Sequence, residues 1–244
     1  MDEAFGVIGE GVAAVASEPL RVDYEYTLNW APILDELGAS LLVSTYQAGK
    51  IVAVGRAAAN PDDSGLRISC HNFEKAMGIA VSPDRLAVVA HSVIWILRDA
   101  PAIAPRLDPL GTYDACYLTR GALYTGAMNG HELARSGEEL WAVNTLFSCL
   151  CTLDDRHSFI PRWRPPFITA YAPVADRRDR LRCGVAVVEL TTGRTIGFLE
   201  FRTGIEEIFD VQLAHGVRSP MIQGPYPEAD RQAPIWLAPA SAAG

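Results

Sequence analysis

From about residue 40 onward, apolar positions follow no helical spacing and gather into short Val, Ile, Leu and Thr runs split by polar turns. Residues 40–46 and 50–54 flank Gln47-Ala48-Gly49 and predict a hairpin. Residues 78–81, 86–90 and 93–97 predict three short strands, the first two joined by Ser82-Pro83-Asp84-Arg85. The same order returns at 131–134, 140–144 and 149–153, about fifty residues further on, a period within the range of propeller blades. A third hairpin, 184–190 and 195–201, surrounds Thr191-Thr192-Gly193-Arg194, and 208–212 reads as one more strand. A single helical turn is expected at 31–37, with Asn29 as its cap, Pro32 in its first turn and Gly38 closing it. About fifteen strands and almost no helix make the class all-β, with radial repetition of four-stranded blades favoured over a two-sheet sandwich. The expected organisation is a flexible leader over 1–25, a β-propeller-like domain over 26–219 and an irregular tail over 220–244.

Composition narrows the class of function without naming one. The 244 residues are 49% apolar and carry a formal charge of -8, which excludes a disordered chain and a disulfide-stapled miniprotein. The acidic balance argues against nucleic acid as a partner, and no apolar run approaches the ~20 residues that span a bilayer. The first residues lack the positive region of a secretory signal, and five cysteines make a poor disulfide framework, so a cytoplasmic location is expected.

Three groups of residues could carry chemistry. His131 and Glu132, with Asn144, Thr145 and Ser148, stand at strand starts and ends, where a propeller presents polar groups to a central funnel. The competing reading makes Asn144 and Thr145 turn caps and Ser148 a small filler. His131, Cys149, Cys151 and His157 supply metal-ligand atoms, but Cys-x-Cys on a strand sets its thiols roughly 7 Å apart on one face, from ~3.3 Å rise per residue. Buried, inert cysteines explain the pair as well. Arg162, Arg164 and the arginines at 156, 177, 178, 180 and 182 could grip a planar anion, or Arg162 and Arg164 could face solvent on either side of Trp163. His71, His91 and His215 stand singly near strand ends and read as structural, and no nucleophile-elbow, phosphate-loop or His-Glu-x-x-His motif is present.

Several stretches carry a family resemblance: Ser44-Thr45-Tyr46-Gln47-Ala48-Gly49-Lys50, the run from Leu140 to Leu153, Pro161-Arg162-Trp163-Arg164-Pro165-Pro166-Phe167-Ile168, and Glu207-Ile208-Phe209-Asp210-Val211. They resemble an uncharacterised bacterial family of conserved hypothetical proteins regarded as β-propeller-like. The resemblance spans roughly residues 26–215 and implies the fold; it implies no activity. Family members are longer between the stretches that here nearly abut at 171–180, which implies an internal deletion and leaves open whether the ring closes. An open ring would favour an oligomer. The leading expectation is a binding or interaction protein for a small molecule or peptide, with no assigned cofactor. The alternatives are a metal-assisted enzyme using His131, Cys149 and Cys151, and a shortened, nonfunctional relative.

Overall fold

The computed structural model describes residues 19–56, 65–153, 160–163, 182–227 and 236–238. Among them the chain is nearly all β, and its strands fall into four main sheets. Sheet I is ordered β16 (Asp210–His215), β3 (Ala39–Thr45), β4 (Lys50–Arg56), β5 (Leu66–Asn72). Sheet II runs β6 (Ala76–Ser82), β7 (Arg85–Ala90), β8 (Val93–Asp99), β9 (Ala115–Tyr124), with β17 (Pro220–Gln223) added in parallel at its edge. Sheet III is β10 (Gly130–Ser136), β11 (Glu139–Asn144), β12 (Cys149–Leu153) and β13 (Ile160–Trp163). Sheet IV joins β14 (Gly184–Val188) and β15 (Thr195–Phe201) to β2 (Tyr24–Tyr26) from the other end of the chain. A small parallel pair, β1 (Leu20–Arg21) with β18 (Trp236–Leu237), completes the set.

Three apolar cores hold the sheets in the order IV, I, II, III. Alternate residues of one strand point to opposite faces, so Leu41, Val43, Val52 and Val54 pack toward Leu199 and Phe201 of sheet IV. Their neighbours Leu42, Ile51 and Ala53 pack toward Ile79, Leu86 and Val88 of sheet II. Sheet II repeats the device, turning Ala87 and Val89 toward Leu140, Ala142 and Cys151 of sheet III. Among the described residues no core joins sheet III to sheet IV. The first strands β16, β6 and β10 lie side by side, an arrangement consistent with a propeller-like fold. The β6 to β10 approach is close enough that a Cβ on Gly78 would fall within 2.6 Å of Leu133 N, so only glycine fits there.

Helix α1 (Trp30–Leu37) buries Trp30, Ala31 and Leu34 in the core between sheets I and IV and ends on Gly38, whose left-handed backbone donates to Leu34 and Asp35 carbonyls. Asn29 precedes it but makes no side-chain cap; its amide instead donates to the Ile196 carbonyl, tying the helix start to β15. Among the described residues no helix is long and apolar enough to cross a membrane.

Two expectations need correction. Residues read as a leader contribute β1 and β2, and residues read as an irregular tail contribute β17 and β18. Each is a short strand with little apolar pattern of its own, made regular by hydrogen bonds from a distant partner. The stretch 171–180 lies outside the described residues, as do His157 and Arg164.

Candidate functional site

At one end of β16, β6 and β10, sheets I, II and III enclose an open cavity of about 610 Å³. Sheet I contributes Tyr46 from the β3–β4 turn, and Glu207 and Phe209 from the approach to β16. Sheet II brings Lys75 and Met77 at the start of β6, His91 and Ser92 from the β7–β8 turn, and Tyr124 at the end of β9. Ala127, Asn129, His131 and Thr145 come from the entry to β10 and the β11–β12 turn.

Local backbone irregularity aims these side chains. Pairing shifts register between Ala76 and Ile79 on β6, and between Gly130 and Leu133 on β10. Such bulges redirect side chains where strands end, and Met77 and His131 sit inside the two irregular stretches. Ile79, where regular pairing resumes, donates its N to Asp210 Oδ2 at 2.7 Å. Asp210 also accepts from Val211 N at 2.7 Å and Gln212 Nε2 at 3.0 Å, while its own N donates to Ser44 Oγ at 3.1 Å. That engaged carboxylate locks β16 to β6 and holds Phe209, whose ring meets the His131 ring edge-on with centroids 5.0 Å apart.

Of the residues expected to form the site, His131 and Thr145 line the cavity. Thr145 Oγ1 donates to Asn129 O at 2.6 Å, so it also clamps the turn before β10. Asn144 is fully buried and accepts from Phe147 N at 3.0 Å through Oδ1; it caps the β11–β12 turn. Ser148 takes the left-handed position of that turn at φ 49°. Glu132, next along β10, is largely exposed and does not line the cavity; partial desolvation of its carboxyl, and then the charge of Asp210, push it above the usual range. Arg162 lies on the outer strand β13, donating to Thr152 Oγ1 at 2.9 Å and pairing with Glu139 at 3.3 Å, so the structure does not bring it to the cavity. The metal reading is corrected as well. Cys149 and Cys151 turn together into the core between sheets II and III and are not among the residues that line the cavity with His131, and burial pushes the Cys151 thiol up to about 11. Among the described residues no group of three His, Cys, Asp or Glu is placed to hold a metal ion.

The cavity residues all fall within one family's span. The sequence model of a family described as Domain of unknown function (DUF4915) matches residues 28–178 and 170–223. The chain belongs to the DUF4915 family. No curated protein matches it. The two DUF4915 segments overlap over 170–178, and every cavity residue from Tyr46 to Phe209 lies within them.

Reading the sequence missed Lys75, Tyr124, Asn129 and Glu207, and it set His91 aside as structural. In this DUF4915 chain His91 is instead an exposed cavity residue. Tyr46, Glu207 and Phe209 were within reach, since all three sit in stretches that carry the family resemblance. Lys75 and Asn129 had no such signal: each is a single polar residue in a short connection.

Proposed function

We propose that this DUF4915 protein is a binding protein whose ligand, a small molecule or short peptide, occupies the cavity between sheets I, II and III. One observation carries the reading. The non-glycine residues with left-handed backbone among the described residues are Lys75, His91, Asn129 and Ser148, and the first three, from three separate connections, line this one cavity. A left-handed conformation costs an L residue such as Lys75 about 1–2 kcal/mol, less for histidine and asparagine, and glycine would relieve it. Residues held at that cost gather where their side chains act. The cavity volume is also that of an ordinary small-molecule site.

Binding is favoured over catalysis by what surrounds the best nucleophile. Ser92 Oγ lies 3.3 Å from His91 Nδ1, but among the described residues no carboxylate is hydrogen-bonded to His91, so the pair lacks the acid that orients a catalytic base. The reading as a nonfunctional relative is disfavoured by an open cavity whose lining combines charged, polar and aromatic side chains.

The test combines stability with retention. The protein and a Lys75→Gly/His91→Gly double variant are incubated with deproteinised cell extract, desalted and weighed by native mass spectrometry. The variant is expected to gain about 1 kcal/mol in chemical unfolding, the strain relieved at two positions exceeding the chain entropy that two glycines add to the unfolded state, and to lose at least tenfold in occupancy of any adduct the parent holds. Adducts equal in both proteins, or none in either, would overturn the reading.

A further inference from the structure

The cavity wall carries two opposite charges that do not meet. Of the chain's two lysines, Lys50 is buried, bonded to Asn72 and stacked over the Trp236 ring with Nζ 4.7 Å from its centroid. Lys75 lines the cavity and makes no hydrogen bond or ion pair among the described residues. Glu207 lines the same cavity with no such partner either, its field felt at Cys183. On the same wall Thr145 Oγ1 is bonded to Asn129 O, His91 Nδ1 meets Ser92 Oγ, and the His131 ring packs on Phe209. Tyr46, Tyr124, Phe209 and Met77 line the same cavity.

A ligand bearing one charge would satisfy one of these groups and be repelled by the other, since like charges near each other in a partly dry site are unfavourable. A ligand bearing both charges satisfies both. Resting on the binding reading above, we propose that the cavity takes a zwitterion of the short-peptide class, its carboxylate at Lys75, its ammonium at Glu207, and an apolar side chain against the aromatic wall. Tyr46, Tyr124 and Phe209 suit the task twice, as apolar surface for the side chain and as π faces beside the ammonium. Lys75 at φ 54° fits the same account: the left-handed turn is kept by a residue whose ammonium the ligand needs, where glycine would be easier.

The experiment is titration calorimetry on the full chain with a set of free dipeptides of apolar residues, and with their N-acetylated, C-amidated and doubly blocked forms. At least one free dipeptide is expected to bind, and each block to weaken it tenfold or more. Lys75→Met should make the free acid and its amide bind alike, Lys75→Arg should restore the difference, and Glu207→Gln should abolish the penalty for N-acetylation. No binding by any free dipeptide, blocked forms that bind as well as free ones, or variants that keep both preferences would each overturn the proposal. If an adduct from cell extract is still held by the parent and lost in the Lys75→Gly/His91→Gly variant, the zwitterion falls while the binding reading stands; if that adduct is absent too, both fall.

Discussion

In sheets I and II the strands β3, β4 and β7 are buried on both faces, whereas the described strands of sheets III and IV are buried on one. The contrast is visible strand by strand: β3 has no exposed position, and β7 has none either, while β11 alternates and β14 presents two exposed residues. Apolar side chains on both sides of a strand make it a wall between two cores. A strand with one wet face is free to vary on that face. The cavity lies where the two kinds of sheet meet, with rigid strands of sheets I and II on one side and the entry to sheet III on the other. A binding site built there gets precise placement from the doubly buried half and access from the singly buried one.

The largest effect expected from this contrast is in the core. Ile79 is fully buried between sheets I and II, and Ile79→Ala should cost about 2–5 kcal/mol in urea unfolding. A cost under ~1 kcal/mol would mean that the shared wall is not the source of stability.

Next in size is a pH effect that belongs to sheet I. His71 on β5 is enclosed beside β17, and burial, with Arg67 and Lys50 nearby, lowers it to about 4 against a backbone bond at Ile222 that works the other way. Its ring meets Ser69 Oγ at 2.9 Å. The unfolded chain takes up a proton near pH 6.5, the folded chain only near pH 4, so stability should fall as pH drops through that window and stay level above it. The parent should lose on the order of 2–3 kcal/mol more than His71→Gln between pH 7 and pH 4. Equal slopes in the two proteins would show that His71 is not held neutral.

The smallest effects are expected on sheet IV. Val188 is 45% exposed and Leu190 is 97% exposed, so Val188→Ala and Leu190→Lys should each stay within about 0.5 kcal/mol of the parent. A loss as large as that of Ile79→Ala would mean that this face is covered in solution and that the contrast between the two pairs of sheets is false.

Much of the strand content was legible in the residues, because each strand declares itself over five to seven neighbours. The runs at 86–90 and 140–144 became β7 and β11 almost to the residue. Where a strand borrows its regularity from a far segment, the sequence was silent: β2 pairs with β15, and β17 with β9. Asn29 shows the same limit at the scale of one side chain, since a residue suited to capping a helix found a better acceptor on β15.

The site divided in the same way. His131 and Thr145 were marked by their position at strand ends, and Cys149 and Cys151 by their spacing, which correctly put both thiols on one face. Which face that was depended on sheet II lying against it. By itself the sequence determined the all-β class, the hairpins and the order of strands within the contiguous sheets, because alternation and turn chemistry act between near neighbours. Only the tertiary structure decided that Tyr46, Lys75, His91, Asn129, His131 and Glu207 share one cavity. Their meeting depends on how β16, β6 and β10 stack, and stacking is set by burial shared between sheets far apart in the chain, which no local pattern encodes.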